Sequence, residues 1–190
     1  MRSANKNPRG ISMFRHSLIA VVITLFWANL HADEAVMGPA IKSGGAAFSV
    51  PNRTVPLIED HHYRVVYDVS RTSSDASDGS VHLELASRFL NMHAQNGVPL
   101  EKMDIAVVVY AGAAKVALSD EEYLARYGVR NPNSEVISEL AAAGVRFYAC
   151  GQSMAKQDMV NDDLSEPFEV GLSAMTVLVT LQQQGFVAIK

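Results

Sequence analysis

This sequence predicts an α/β fold, a mostly parallel five-stranded sheet with helices on both faces in three layers, and three observations point to it. Strand-like and helix-like segments alternate from residue 63 to the end of the chain. The run Asp-Ile-Ala-Val-Val-Val-Tyr at 104–110 is apolar without alternation, as suits a central parallel strand covered on both sides. Glycines at 97, 144 and 185 stand where helices should stop and strands begin, giving the short joints that right-handed crossovers use.

Residues 63–69, Tyr-Arg-Val-Val-Tyr-Asp-Val, read as the first strand, and the polar stretch 71–80 as a loop. A helix follows with Val81, Leu85, Phe89 and Met92 on one face, ending at Asn96-Gly97 before Pro99. After the second strand, Ala111-Gly112-Ala113 is a tight small-residue loop able to bring backbone N–H groups to a ligand. Ser119-Asp120-Glu121-Glu122 is a capping box for a short helix. Asn131-Pro132 supplies a cap and a first-turn proline for the next helix, which carries Val136, Ile137 and Leu140 and stops at Gly144. The third strand has Val145, Phe147 and Ala149 in alternation and ends at Cys150; Gly151-Gln152-Ser153 reads as a turn into a short helix near 154–158. A short strand at 168–170, a helix at 173–184 and a last strand at 186–189 complete the chain. The 173–184 helix is apolar nearly all round, which predicts a subunit interface and hence a homo-oligomer.

The N-terminus carries an export pattern. Arg2, Lys6, Arg9 and Arg15 precede an uninterrupted apolar run at 18–27, and Leu30-His31-Ala32 stands before Asp33 like a cleavage site. Residues 1–32 are thus expected to be a signal peptide and the protein periplasmic or otherwise exported; the apolar run is well short of the ~20 residues a membrane span needs, so no membrane attachment is expected after cleavage. Met13 also opens a tidy signal, leaving two candidate starts. Residues 33–62, with Gly38-Pro39, Gly44-Gly45, Pro51 and Pro56, read as an extended arm over the surface of the 63–190 domain. Loss of the four leading basic residues leaves 12 basic against 20 acidic, a net charge of −8, which argues against nucleic acid or anionic membrane surfaces as partners.

The chain has one cysteine. An exported chain with a single cysteine has no internal disulfide, which favours a reactive thiol or an intermolecular pairing over a framework. Cys150 is placed at a strand's C-terminal end, where open parallel sheets bind ligands, and before a helix N-terminus, which favours an anion. A free thiol, with a pKa of about 8.5, is only ~3% thiolate at pH 7, so such a position matters to its reactivity. Against this stands the reading in which Cys150 is a small hydrophobe filling the core. Gly151 is expected to let the backbone approach the sulfur and Ser153 to donate to it, with Gln152, Ala111 and Gly112 completing a candidate substrate-binding rim.

The common motifs are absent: no Gly-x-Gly-x-x-Gly after the first strand, no phosphate-cradling loop, no Gly-x-Ser-x-Gly, no His-Glu-x-x-His, and hence no expected cofactor. His61-His62 lacks a ligand pattern, and His82 and His93 lie ~16 Å apart along their helix, too far to share a metal, and are expected to be partly exposed; no resident metal is expected.

The succession YRVVYDVS, RFLNMHAQNGVP, IAVVVYAGAAK, YGVRNPNSEVISELAAAGVRFYACGQS and LSAMTVLVTLQQQGF resembles the DsrE/DsrF-like family, in particular its exported, stand-alone members. The resemblance implies a DsrE-like α/β fold, akin to flavodoxin and Rossmann sheets without a dinucleotide motif, and a homo-oligomer, a trimer or a multiple of one. It further implies a cysteine after the third strand that carries sulfur as a persulfide, a position Cys150 matches. Exported relatives often have His-Gly-Gly where this chain has Tyr110-Ala111-Gly112, so a donor to the site is missing here. Three readings stand: a sulfur carrier or sulfurtransferase-like thiol protein serving a donor or acceptor protein or a small sulfane-sulfur compound; a non-catalytic oligomeric binding protein with an inert Cys150; and a soft-metal site formed by Cys150 and Met154.

Overall fold

The computed structural model describes residues 34–190; the expected signal segment lies outside the described residues. Five parallel strands, β1 (Tyr63–Val69), β2 (Met103–Val109), β3 (Arg146–Cys150), β4 (Phe168–Gly171) and β5 (Val187–Ile189), form one sheet in the order β4-β3-β2-β1-β5. The strand with the uninterrupted apolar run, β2, is central, paired Val69↔Val109 with β1 and Val109↔Ala149 with β3. The helices are α1 (Val81–Gln95), α2 (Asp120–Tyr127), α3 (Ser134–Ala142), α4 (Gly151–Lys156) and α5 (Ala174–Gln183), and Ala111–Ala117 winds as a 3-10 segment.

Side chains of period two divide the core between the two sheet faces. Tyr67, Val107, Phe147 and their alternates bury with Leu83, Ala86 and Leu90 of α1, Ile137 and Leu140 of α3, and Met154 of α4. Val66, Ala106, Val108 and Cys150 face the other way, against Ala174 and Leu181 of α5. The three layers are therefore lopsided, with α5 the one helix on the Cys150 face among the described residues. Met175 and Val179 of α5 are 75% and 52% exposed, and Leu172 just before it 73%, so an apolar strip of this helix has no partner among the described residues.

Five expectations need correction. Helix α1 buries Leu83, Ala86, Ser87, Leu90 and Asn91, whereas Val81 and Met92 are exposed, so the inward face lies beside the apolar stripe read from spacing. The cause is the arm, which is not a surface strap. Ile41 is fully buried in the main core, and Asn91 accepts from the N–H groups of Ala40 and Ile41 (3.0 and 2.8 Å) while donating to the carbonyls of Ile41, Gly44 and Gly45. Gly45 (φ +76°) lies so close to the α1 backbone that a Cβ there would strike Ser87 and Arg88. The glycines serve close approach, and the polar residues go inward because they receive a second backbone.

Asn131-Pro132 does not cap α3, which starts at Ser134 behind Asn133. Asn131 is instead a buried junction: its amide donates to the carbonyls of Val116 and Leu118 (3.0 and 2.7 Å), and its oxygen accepts from the backbone and side-chain N–H of Asn133. His93, expected to be partly exposed, is 8% exposed, stacked on Phe89 with Nδ1 2.8 Å from the Phe89 carbonyl, and burial lowers its pKa. Gly151-Gln152-Ser153 is not a turn, because α4 begins at Gly151 itself. Elsewhere the reading stands: Ser119 caps α2 by accepting from the N–H of Glu122, and Gly144 (φ +90°) ends the α3 region in the left-handed conformation only glycine adopts freely.

Candidate functional site

Cys150 is at once the last residue of β3 and the cap of α4. Its sulfur faces α5, and three backbone segments converge on it. Burial pushes the thiol up, but the Ser153 hydroxyl and the backbone N–H groups of Ala174, Ser153 and Gln152 around the sulfur favour its anion and together outweigh burial, so the pKa lies below the ordinary thiol value. Ala174 is the first residue of α5, whose cap Ser173 accepts from the Thr176 N–H at 3.1 Å, so two helix starts point their free donors at one atom.

The closeness of these segments rests on two facing glycines. Cys150 pairs with Gly171 across the β3–β4 ladder. A Cβ on Gly151 would stand 2.9 Å from the Gly171 carbonyl oxygen, and one on Gly171 would collide with Val177 of α5. Here Gly151 brings β4 to the start of α4, a tighter role than the approach to sulfur expected of it.

The loop after β2 reaches the same place, as expected. Ala111 donates its N–H to Ser153 Oγ at 2.8 Å, leaving the Ser153 proton free for the sulfur, and Gln157 Nε2 donates to the Ala111 carbonyl at 2.9 Å. Ala111 adopts φ +49°, uncommon for a residue with a Cβ. Ala111, Gly112 and Gln152 are exposed, Gly151 and Ser153 half-buried. The predicted residues Cys150, Gly151, Gln152, Ser153, Ala111 and Gly112 thus come together at the C-terminal edge of the sheet.

Although Cys150 stands at a strand end of the kind where open sheets bind ligands, it is 4% exposed. The turn from Gly171 into α5 closes over it. Among the residues not foreseen, Tyr110 follows β2 on the same face; burial and the nearby Asp68 push its phenol up, and the charge of Cys150 adds to this. Asp68 Oδ1 is buried with no hydrogen-bond partner among the described residues, and Oδ2 lies 3.8 Å from Lys190 Nζ. Only the strand order places these groups beside the cysteine. Arg146 lies over the Phe186 ring, 4.9 Å from its centroid. Met154 of the soft-metal reading packs in the core on the opposite sheet face from Cys150. No group of three or more His, Cys, Asp or Glu side chains is placed to hold a metal among the described residues.

No described helix is long and apolar enough to cross a membrane. The family model described as DsrE/DsrF-like matches residues 64–190. Among solved structures, the chain is similar to a protein of unknown function, MTH1491 from Methanobacterium thermoautotrophicum, with 31% identity, 67% of this chain and 97% of that one covered, and a TM-score of 0.50. No curated protein matches the chain. The family match spans the entire sheet from β1 onward, including the strand that ends at the cysteine and both helix starts that face it: this chain belongs to the DsrE/DsrF-like family.

Proposed function

We propose that the protein is a sulfur carrier that holds sulfane sulfur as a persulfide on Cys150. The observation that carries this is the placement of one sulfur at the start of α4 and against the start of α5, with the Ser153 hydroxyl and the N–H groups of Gln152, Ser153 and Ala174 around it. A cysteine that merely fills space needs no donors, whereas a thiolate or a persulfide anion is stabilised by them. In the step proposed, the Cys150 thiolate attacks the outer sulfur of a donor R–S–SH. A new S–S bond forms on Cys150 as the donor's S–S bond breaks, and R–S⁻ leaves with the electron pair, so no external oxidant is consumed. The N-terminal pattern supports placing this chemistry outside the cytoplasm. The burial of Cys150 favours the competing reading, an inert core cysteine in a binding protein.

Alkylation rate against pH, followed by mass spectrometry after incubation with inorganic polysulfide, separates the two. The rate is expected to inflect below the ordinary thiol value of about 8.5, and the wild type to gain a sulfur that Cys150→Ser does not. An inflection at or above that value, or no added sulfur on the wild type, leaves the inert reading as the better one.

We further propose a homo-oligomer, a trimer or a multiple of one, assembled through the exposed side of α5. Val179→Glu should dissociate it, since an unpaired charge buried in an interface is costly, while circular dichroism shows the fold retained. Light scattering that gives a monomeric wild type would end this proposal.

A further inference from the structure

Gln157 belongs to none of the residues that the spacing singled out, yet it sits where three parts of the site meet. It ends α4, with its N–H donating to the Met154 carbonyl at 2.9 Å. Its side-chain Nε2 donates to the carbonyl of Ala111 at 2.9 Å and to that of Ser153 at 3.1 Å. Its own carbonyl is in turn held by Arg126 of α2, whose guanidinium donates to the carbonyls of Gln157 and Asp158 (both 3.0 Å) and to Asp163 Oδ2 (2.8 Å). Gln157 is thus fixed at its backbone, and its amide grips the one site residue held at positive φ.

Resting on the reading of Cys150 as the reactive group, we propose that Gln157 is a positioning residue for it: Gln157 locks the Ala111 peptide so that Ser153 is satisfied as an acceptor and turns its hydroxyl proton to the sulfur. The chain of contacts is continuous. Gln157 holds the Ala111 carbonyl, the Ala111 N–H fills a lone pair of Ser153 Oγ at 2.8 Å, and Ser153 is the third residue of the helix that Cys150 caps, which sets its hydroxyl beside the sulfur. Donation to an oxygen strengthens its own O–H as a donor, so each link reinforces the next. Without the amide grip, the Ala111 peptide is free to leave its strained conformation for a more populated one, which would rotate its N–H away from Ser153. The hydroxyl would then have other acceptors and donors to choose from, and the sulfur would lose the side-chain member of its donor set.

The other groups around the sulfur do not duplicate this role. The first turns of α4 and α5 carry no charged side chain. Tyr110 stands next to Cys150 at the end of β2, with Asp68 behind it on β1 and Lys190 beyond. On the β4 side, Glu169 lies two residue pairs back, opposite Tyr148. Carboxyls disfavour a negative sulfur and the phenol, its own pKa pushed up, stays neutral, which leaves the starts of α4 and α5 as the source of acidity.

The test is the iodoacetamide rate of Cys150 against pH in the full chain for wild type, Gln157→Met, Ser153→Ala and the double variant. Gln157→Met keeps the length of the side chain and removes its donors; Gln157→Ala, well suited to a helix end, serves as the second variant should the first lose helix by circular dichroism. One hydrogen bond is worth a factor of about 2–10, so Gln157→Met should slow alkylation at pH 7 about three- to tenfold and move the inflection upward. Because Gln157 acts through Ser153, the same substitution in the Ser153→Ala background should change the rate less than about twofold. A Gln157→Met profile that overlays the wild type, or an undiminished effect in the Ser153→Ala background, overturns the inference. Iodoacetamide reads the thiolate and not sulfur uptake, so a wild type that takes up no sulfur while these profiles behave as expected overturns the carrier reading alone.

Discussion

Asn91→Ala should lower the melting temperature by about 10 °C, the largest loss expected from any substitution remote from Cys150. The side chain is fully buried and makes five hydrogen bonds to the backbone of residues 40–45. Its removal leaves two N–H groups and three carbonyls in a dry notch, each of which costs about 1–3 kcal/mol when unsatisfied. The groups relax together, so the net loss is put at about 3–4 kcal/mol, and each kcal/mol moves the midpoint of a domain of this size by about 2–4 °C. The arm is expected to leave α1 before the sheet melts, so limited proteolysis should cut near residues 38–48 in the variant and not in the wild type. A variant that melts within about 2 °C of the wild type, with the arm still protected, would show that Ile41 alone holds this segment.

Gly171→Ala is expected to damage stability and thiol chemistry together. The new Cβ meets Val177, a β-branched residue with one strongly preferred rotamer in a helix, so α5 must move instead of the side chain turning away. Overpacking of this kind costs about 1–3 kcal/mol. Because Ala174 opens the same helix and packs beside Cys150, displacing α5 also moves its N–H away from the sulfur. Alkylation at pH 7 should therefore slow in step with the fall in stability, and Val177→Ala in the same chain should restore both. If the single variant melts and reacts like the wild type, the contact between the β4 end and α5 is looser than the structure has it. A double variant that regains stability without regaining the alkylation rate would separate the two effects.

The strand and helix pattern was legible because it is written in local periodicity: the apolar run of β2, the glycine joints and the Ser119 cap each declare themselves within a few residues. So was the gathering of Cys150, Ser153 and Ala111, since consecutive parallel strands bring their following loops to one edge. The parts that were not legible depend on distant chain. The inward face of α1 was missed because Ser87 and Asn91 look like surface residues until a second backbone lies on them, and that backbone comes from residues some 50 positions earlier. The donor from Ala174 was hidden in the strand order, which sets β4 beside β3 and so hangs α5 over the cysteine. Gln157 has no periodic signature, being one polar residue among several at the end of a short helix.

Cys150 ends a strand and starts a helix with nothing between, which makes its acidity a property of the completed sheet. A slip of one residue in the β3–β2 register would turn the sulfur to the opposite face, away from α5 and its N–H group. An unfolded or mispaired chain carries an ordinary thiol, mostly protonated at neutral pH, because the donors that shift it belong to segments some twenty residues apart in sequence and meet only in the final arrangement. The downward shift at Cys150 is thus absent while the chain folds and arrives only as the last strands register, so that the titration of this one thiol reports on correct assembly.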